Sequence, residues 1–358
     1  MNVLHVDSAA GWRGGQNQVL LTAAGMAARG HRVALACRSG GALEARARAQ
    51  GLEVHALPLR GDVSLRAAAG LARILRRSGP DVLHLHDPHA LAAGLLAARA
   101  AASRARTMAT RRVDFPLRGP LSRWKYRSCR GVIAVSRRVA EILGEDGMAA
   151  ERIRVVYEGV PDRPALPGGR EALAALGVPE GCPVVGNVAA LTDHKDHATL
   201  IEAAALVRLR IPEARFVCVG DGELRPRLEA LCRKRGLGDR WIFAGFRSDL
   251  DRLLPAFTVF CLSSHMEGLG TSLLDAMAFA RPVVATAAGG IPEAVEDGVT
   301  GRVVPVRDPA ALADALAETL TDPERARSMG AAGRRRFEQT FTADRMVEAT
   351  LAAYDGLR

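Results

Sequence analysis

The chain has 358 residues, 48% of them hydrophobic and 25% charged, which suits two domains with sizeable cores and excludes a disordered protein. No apolar run is long enough to span a membrane as a helix, and Met1 to Asp7 carry no basic run, so neither a spanning segment nor a secretory signal is expected. The net charge of +10 is uneven: residues 1–165 hold 26 Lys and Arg against 13 Asp and Glu, whereas residues 166–358 hold 23 against 26, which points to an anionic partner for the first half.

Short β-branched and apolar runs alternate with Ala- and Leu-rich stretches of helical period. In the first half the pattern predicts strands at 3–6, 32–37, 53–57, 81–86, 106–110, 131–135 and 153–156. Helices are expected at 16–29, 42–50, 64–77 and 89–101, with a short one near 121–127. Apolar strands joined by helical crossovers mean a parallel sheet covered on both faces. Residues 158–169 carry three prolines and three glycines and read as a linker. The rhythm then restarts, with strands at 184–188, 215–219, 241–244, 259–262, 282–285 and 302–304, and closing helices at 310–320, 323–337 and 343–357. The expected architecture is α/β, two doubly wound Rossmann-like domains over 1–160 and 161–340. A final segment, 341–358, forms a helix that can return to the first domain. Such domains bind ligands at the carboxyl ends of their strands, so the two are expected to face one cleft.

The densest chemical signal runs from Ser263 to Ala278, between a strand and a helix. Gly268 and Gly270 let backbone N–H groups approach a ligand, and the helix start after them favours an anion. Glu267 can accept hydroxyl hydrogens, and Asp275, one to two turns into the helix, can take both hydroxyls of a ribose. A capping loop with a surface acid is the plainer explanation of the glycines alone. Lys195 stands in a polar turn after the strand at 184–188 and can neutralise a phosphate as a point charge. It is one of only three lysines (Lys125, Lys195, Lys234) among 49 basic residues, although an exposed loop lysine is the commoner case. Gly11-Trp12-Arg13-Gly14-Gly15-Gln16 joins the first strand to the first helix and lacks the G-x-G-x-x-G order of a dinucleotide site. His84 and His86 share a strand face; a metal pair is the sharper reading, and satisfied core or site-facing histidines the better supported one. Asp249-Leu250-Asp251 has the D-x-D form, yet its place at a helix start favours capping. The six cysteines are scattered without C-x-x-C, which excludes a zinc ribbon and suits buried thiols in a reducing cytoplasm.

Taken in order, these motifs resemble the retaining group 1 glycosyltransferases of family 4, with the GT-B fold. Gly14-Gly15-Gln16 with Gly30-His31-Arg32-Val33 resembles the family's opening, and Pro80 to Asp87 its P-D-x-x-H-x-H segment. Val132 to Ser136 resembles its strand before the linker, and Gly220-Asp221-Gly222 its G-D-G turn. Glu267 to Asp275 is similar to its E-x7-E signature, and Gly289-Gly290-Ile291-Pro292-Glu293 with Gly298 to Gly301 to its tail. The resemblance implies transfer of a sugar from a nucleoside-diphosphate sugar, UDP- or GDP-linked, with retained configuration and no metal or other cofactor. It also implies that Lys195 holds the leaving phosphate, while Glu267 and the amides of Gly268, Leu269, Gly270 and Thr271 grip the donor sugar. Asp275 would take the ribose, and Gly14 and Gly15 would line the first-domain side.

Three departures matter. Ala190 stands where the family has an arginine, so Arg247 or Arg13 is expected to supply the second cation. Asp275 is shorter by one methylene than the family's glutamate. No histidine follows the fifth strand, where Thr110-Arg111-Arg112-Val113-Asp114 stands, so Arg112 or His86 is expected to serve the sugar. A sugar-nucleotide 2-epimerase of the same fold is the alternative enzyme; a nucleic-acid-binding protein using the basic half is the alternative of another class, against which the 4% aromatic content and missing motifs count. Residues 103–138 hold 11 Lys and Arg with Phe115, Trp124 and Tyr126 interleaved. They are read either as a solvated face or as a surface docking on an anionic leaflet, which would place a cytoplasmic enzyme on the inner face of the membrane beside a lipid-linked glycan acceptor such as a lipopolysaccharide precursor.

Overall fold

A computed structural model describes residues 1–61 and 64–356; Leu357, the expected end of the last helix, lies outside the described residues. The chain divides into two compact units, Met1–Val160 with Ala343–Arg358, and Pro161–Thr342.

The first unit runs β1 (Asn2–Asp7), α1 (Gly14–Ala28), β2 (Arg32–Arg38), α2 (Ala42–Ala49), β3 (Glu53–Leu57), α3 (Leu65–Ser78), β4 (Val82–Leu85), α4 (Pro88–Ala100), β5 (Arg106–Arg111), α5 (Gly119–Arg127), β6 (Gly131–Ala134), α6 (Arg137–Glu145) and β7 (Ile153–Val155). Its seven strands lie parallel in the order β3-β2-β1-β4-β5-β6-β7. The two-residue period of a strand divides β1 between two cores. Leu4 and Val6 join Leu71 of α3, Leu91 of α4 and Val139 of α6, while Val3 joins Met26 of α1 and Leu43 of α2 on the other face. That second face is completed from the far end of the chain by α15 (Ala343–Asp355), through Met346, Val347 and Tyr354. Gly25 admits α15 closely, since a Cβ there would lie 2.6 Å from Val347 Cγ2. Helix α6 is not among the elements expected from the sequence. Its signal is Ser136, whose hydroxyl accepts from the Val139 N–H, followed by Val139, Ile142 and Leu143 at helical spacing.

The second unit opens with α7 (Gly169–Ala174), also unforeseen at the end of the Pro- and Gly-rich linker. It continues with β8 (Val184–Val188), α8 (His197–Arg210), β9 (Arg215–Val219), α9 (Arg225–Lys234), β10 (Trp241–Gly245), α10 (Leu250–Leu253), β11 (Val259–Leu262), α11 (Thr271–Ala278), β12 (Val283–Thr286), α12 (Ile291–Ala294), β13 (Gly301–Val304), α13 (Pro309–Thr321) and α14 (Pro323–Arg336). Six parallel strands follow the order β10-β9-β8-β11-β12-β13. Phe216 stacks on Trp241 at 5.7 Å in its core, beside Ile201, Val259 and Leu316. Among the described residues no helix is long and apolar enough to cross a membrane. All cysteines are free and five are buried; Cys182 is half-buried, against the expectation of six buried thiols.

Candidate active site

A doubly wound sheet opens a crevice where its strand order reverses, because the loops leaving the two central strands turn to opposite faces. In the second unit that point lies between β8 and β11. The loop after β8 carries Lys195 and the loop after β11 carries Glu267. One backbone and one side-chain bond tie them: His265 N–H donates to the His194 carbonyl at 3.0 Å, and Ser263 Oγ donates to the Lys195 carbonyl at 3.1 Å. Lys195 Nζ then meets both Glu267 oxygens, at 2.8 Å to Oε1 and 2.7 Å to Oε2, with both side chains largely sheltered. The expected exposed loop lysine is instead half of a sheltered ion pair.

Beyond Glu267, Gly270 adopts φ +89°, a left-handed conformation suited to glycine, and starts α11 with no side-chain cap. Among the described residues no acceptor takes the N–H of Leu269, Gly270 or Thr271. A cation, a carboxylate and free helix-start amides therefore meet at one switch point, which is the chemistry of an anion site beside a hydroxyl acceptor.

The G-D-G turn supports this loop. Leu191 N–H donates to the Asp221 carbonyl at 3.0 Å and Leu224 N–H to the Leu191 carbonyl at 3.2 Å. Gly220 has φ +144°, and a Cβ there would lie 1.9 Å from the Ala189 carbonyl oxygen. Gly220→Ala is expected to cost about 2–3 kcal/mol and to lower the melting temperature, because backbone must move to admit one methyl. An unchanged unfolding midpoint in urea would contradict it.

Asp275 lies in α11 with its side chain partly accessible. Its Oδ1 pairs with Arg163 Nη2 at 3.1 Å, and Arg163 Nε pairs with Asp251 of α10. Burial raises the Asp275 carboxyl to about 6, with Arg163 opposing and Asp251 adding to the rise. Arg163 escaped the sequence reading because it sits in a linker whose prolines and glycines masked it. The capping role expected of Asp249 is not met. Its carboxylate takes Arg247 in two bonds of 2.8 and 2.7 Å, which hold it below the usual carboxylate range, and it makes no side-chain cap bond to α10. Arg247, expected as the second phosphate cation, is thus paired.

In the first unit the reversal falls between β1 and β4. His5 and His84 are register partners there, and both point to the face covered by α1 and α15. His86 follows directly. His84 bonds Tyr354 Oη and Thr110 Oγ1, each at 2.6 Å. Arg112 Nη2 contacts His86 Nδ1 at 3.3 Å, and His86 Nε2 contacts His5 Nδ1 at 2.9 Å. Guanidinium only donates, so His86 accepts at Nδ1 and donates from Nε2 to His5. The three imidazoles are buried and come close enough to hold a metal as a group. Five of their six ring nitrogens already have partners, and burial with the Arg112 charge brings His5 down to about 3. A polar core satisfied at all but His5 Nε2 describes them. Arg112 itself pairs with Glu158 at 2.9 Å and passes 3.7 Å from where a Gly15 Cβ would stand, so Gly14, Gly15, His86 and Arg112 come together. His86 has no free ring nitrogen for a ligand.

Both units match known sequence families. Residues 12–163 match Glycosyltransferase Family 4, and residues 170–336 match Glycosyl transferases group 1. A 2-deoxystreptamine N-acetyl-D-glucosaminyltransferase of Streptomyces fradiae is 32% identical over 75% of this chain and 68% of its own length. The chain belongs to the group 1 glycosyltransferases of family 4. Another relative, the 2-deoxystreptamine glucosyltransferase of Streptomyces kanamyceticus, is 31% identical over 68% of this chain. Matches to the first three curated relatives span 45% to 68% of those proteins. The glycosyltransferase fold recurs in Anabaena HepE, solved with UDP and glucose, at TM-score 0.87 and 22% identity over 98% of both chains. The GT-B fold expected from the motifs is therefore shown, and Lys195 and Glu267 sit in the glycosyltransferase group 1 region.

Proposed function

We propose that this chain transfers a sugar from a UDP- or GDP-sugar to a glycan or glycolipid acceptor, retaining the anomeric configuration without a metal ion. The observation that carries the reading is the meeting of Lys195 and Glu267 at the switch point beside the unpaired amides of α11. The donor's diphosphate would draw Lys195 from Glu267, and the released carboxylate would accept hydroxyls of the sugar. The bond from the sugar's anomeric carbon to the β-phosphate oxygen breaks and a bond to the acceptor oxygen forms on the same face. The acceptor's proton passes to the departing phosphate, whose charge Lys195 and the amides of Leu269, Gly270 and Thr271 offset. In the first unit, Arg112, steadied by His86 and Glu158, and the α1 start at Gly14 and Gly15 would serve the acceptor side. Both sequence-family matches are to transferases, so nothing supports the epimerase alternative. Thermal shift and donor hydrolysis across a panel of UDP- and GDP-sugars, in EDTA, test the reading. No shift and no turnover with any of them would refute it.

Asp275 adds a pH dependence. Its carboxyl is raised, so it is ionised only above about pH 6 and then accepts the ribose hydroxyls. Donor KM is expected to climb as pH falls through about 6, and Asp275→Asn to raise KM and flatten that dependence. For stability the sign is opposite: ionisation of this sheltered group costs the folded state as pH rises through 6. A wild-type KM flat from pH 5 to 8 would contradict the assignment.

The acceptor reading rests on α5. Leu121 and Trp124, three residues apart and thus on one helix face, are exposed, as is Phe115 ahead of them. Arg118 and Arg123 flank them, and Arg99 stacks on Trp124 at 5.1 Å. An outward apolar face rimmed by arginines suits an anionic leaflet and a lipid-linked acceptor such as a lipopolysaccharide precursor. Vesicle sedimentation is expected to show binding to anionic but not neutral vesicles, lost on adding salt and in Leu121→Ser/Trp124→Ser. Equal partitioning, or none at low salt, would favour a soluble acceptor of the kind the two curated relatives are named for.

A further inference from the structure

We propose that Arg163 is a positioning residue for the donor's ribose, fixing the Asp275 carboxylate so that it receives the cis-diol. The inference rests on the donor reading above and adds a residue and a specificity to it. Arg163 is no stray surface side chain. Asp162 before it holds Arg334 of α14 by two bonds of 2.8 Å, and Leu166 after it donates its N–H to the Asp251 carbonyl at 2.9 Å. Arg334 also donates to the Ala278 carbonyl at the end of α11, so the segment is pinned to the helix that carries Asp275.

From that anchor the Arg163 guanidinium spans Asp251 and Asp275. It takes only Oδ1 of Asp275, and among the described residues nothing donates to Oδ2. A carboxylate oxygen accepts two hydrogen bonds, so Oδ1 and Oδ2 both remain open to hydroxyl donors. An aspartate alone on a helix is free to turn about its side-chain torsions; with Oδ1 bonded to Arg163 Nη2, and Arg163 in turn tied to Asp251, that rotation is restricted and Oδ2 is left open. The charged groups facing Asp275 are Arg163 from the linker and Asp251 from α10, and they work in opposite senses on its ionisation. Removing the arginine leaves two carboxylates together and favours protonation of Asp275, which then donates where the diol needs an acceptor. The ligand feature recognised is a pair of vicinal hydroxyls, present in a ribonucleotide and missing from its 2′-deoxy counterpart.

Calorimetric titration with UDP, GDP and the 2′-deoxy form of whichever binds, on wild type, Arg163→Gln and Arg163→Lys, tests this. The wild type is expected to prefer the ribonucleotide by roughly tenfold or more, because a site built for a hydroxyl penalises its loss. Arg163→Gln should cut that preference to below about threefold and raise donor KM about tenfold, with kcat within about twofold. Arg163→Lys should restore part of the preference, and it carries the test if the glutamine variant does not fold. An unchanged ribose preference in Arg163→Gln, or in Arg163→Lys where only that variant folds, overturns the role of Arg163 and leaves the donor reading standing. Equal losses of kcat and kcat/KM with a lowered melting point overturn it too, as a merely structural effect. Failure of wild type to bind either nucleotide overturns the donor reading and this inference with it.

Discussion

Lys195→Ala should lower kcat by about 30- to 1,000-fold, the loss expected when one group offsetting transition-state charge is removed, roughly 2–4 kcal/mol. The proposed departing diphosphate would gain charge as the sugar leaves, and Lys195 is a sheltered cation at the switch point whose carboxylate partner, Glu267, belongs to the same site. Its partner, Glu267, is the group the donor sugar would engage. The substitution removes the Lys195–Glu267 pair, so some melting-point loss is expected, but the loop keeps its bonds through the Ser263 hydroxyl and the His265 N–H. Steady-state kinetics at saturating donor decide it. Near wild-type turnover would remove Lys195 from the site.

Glu267→Ala should lower transfer by on the order of 100-fold or more while tightening the free nucleoside diphosphate by about threefold. The opposed effects follow from the pair: in the wild type the proposed phosphate would have to draw Lys195 away from two oxygens 2.7 and 2.8 Å from its nitrogen, and in the variant that competition is gone. Transfer is still expected to fail, because the carboxylate proposed to grip the sugar is missing. Asp275→Asn differs in kind, since a ribose contact changes little between ground and transition state and so moves KM rather than kcat. Parallel kcat losses in both variants, with no gain in nucleotide affinity, would show that the roles are misassigned.

Much of the scaffold was legible because parallel strands buried on both faces leave continuous apolar runs. Strands β8, β9 and β11 match their expected spans, and β12 starts one residue late, at Val283, just beyond Pro282. Helices α6 and α7 were missed, the first short and arginine-led, the second embedded among prolines and glycines that signal a turn. The site was legible only as separate pieces. Lys195 and Glu267 are 72 residues apart, and only the strand order that sets β8 beside β11 makes them neighbours. Asp249 looked like a cap because sequence position alone does not show that Arg247, two residues earlier, folds back onto it. Arg163 and Tyr354 gave no signal because Asp275 and His84, the groups they bond, lie far along the chain from them.

The central claim is that Lys195 recognises the diphosphate of a nucleotide donor. It is tested most directly by titrating wild type and Lys195→Ala with a nucleoside diphosphate and with its parent nucleoside, UDP with uridine or GDP with guanosine. The variant is expected to weaken the diphosphate by roughly tenfold or more and to leave the nucleoside unchanged. Equal weakening of both, or of neither, would contradict it.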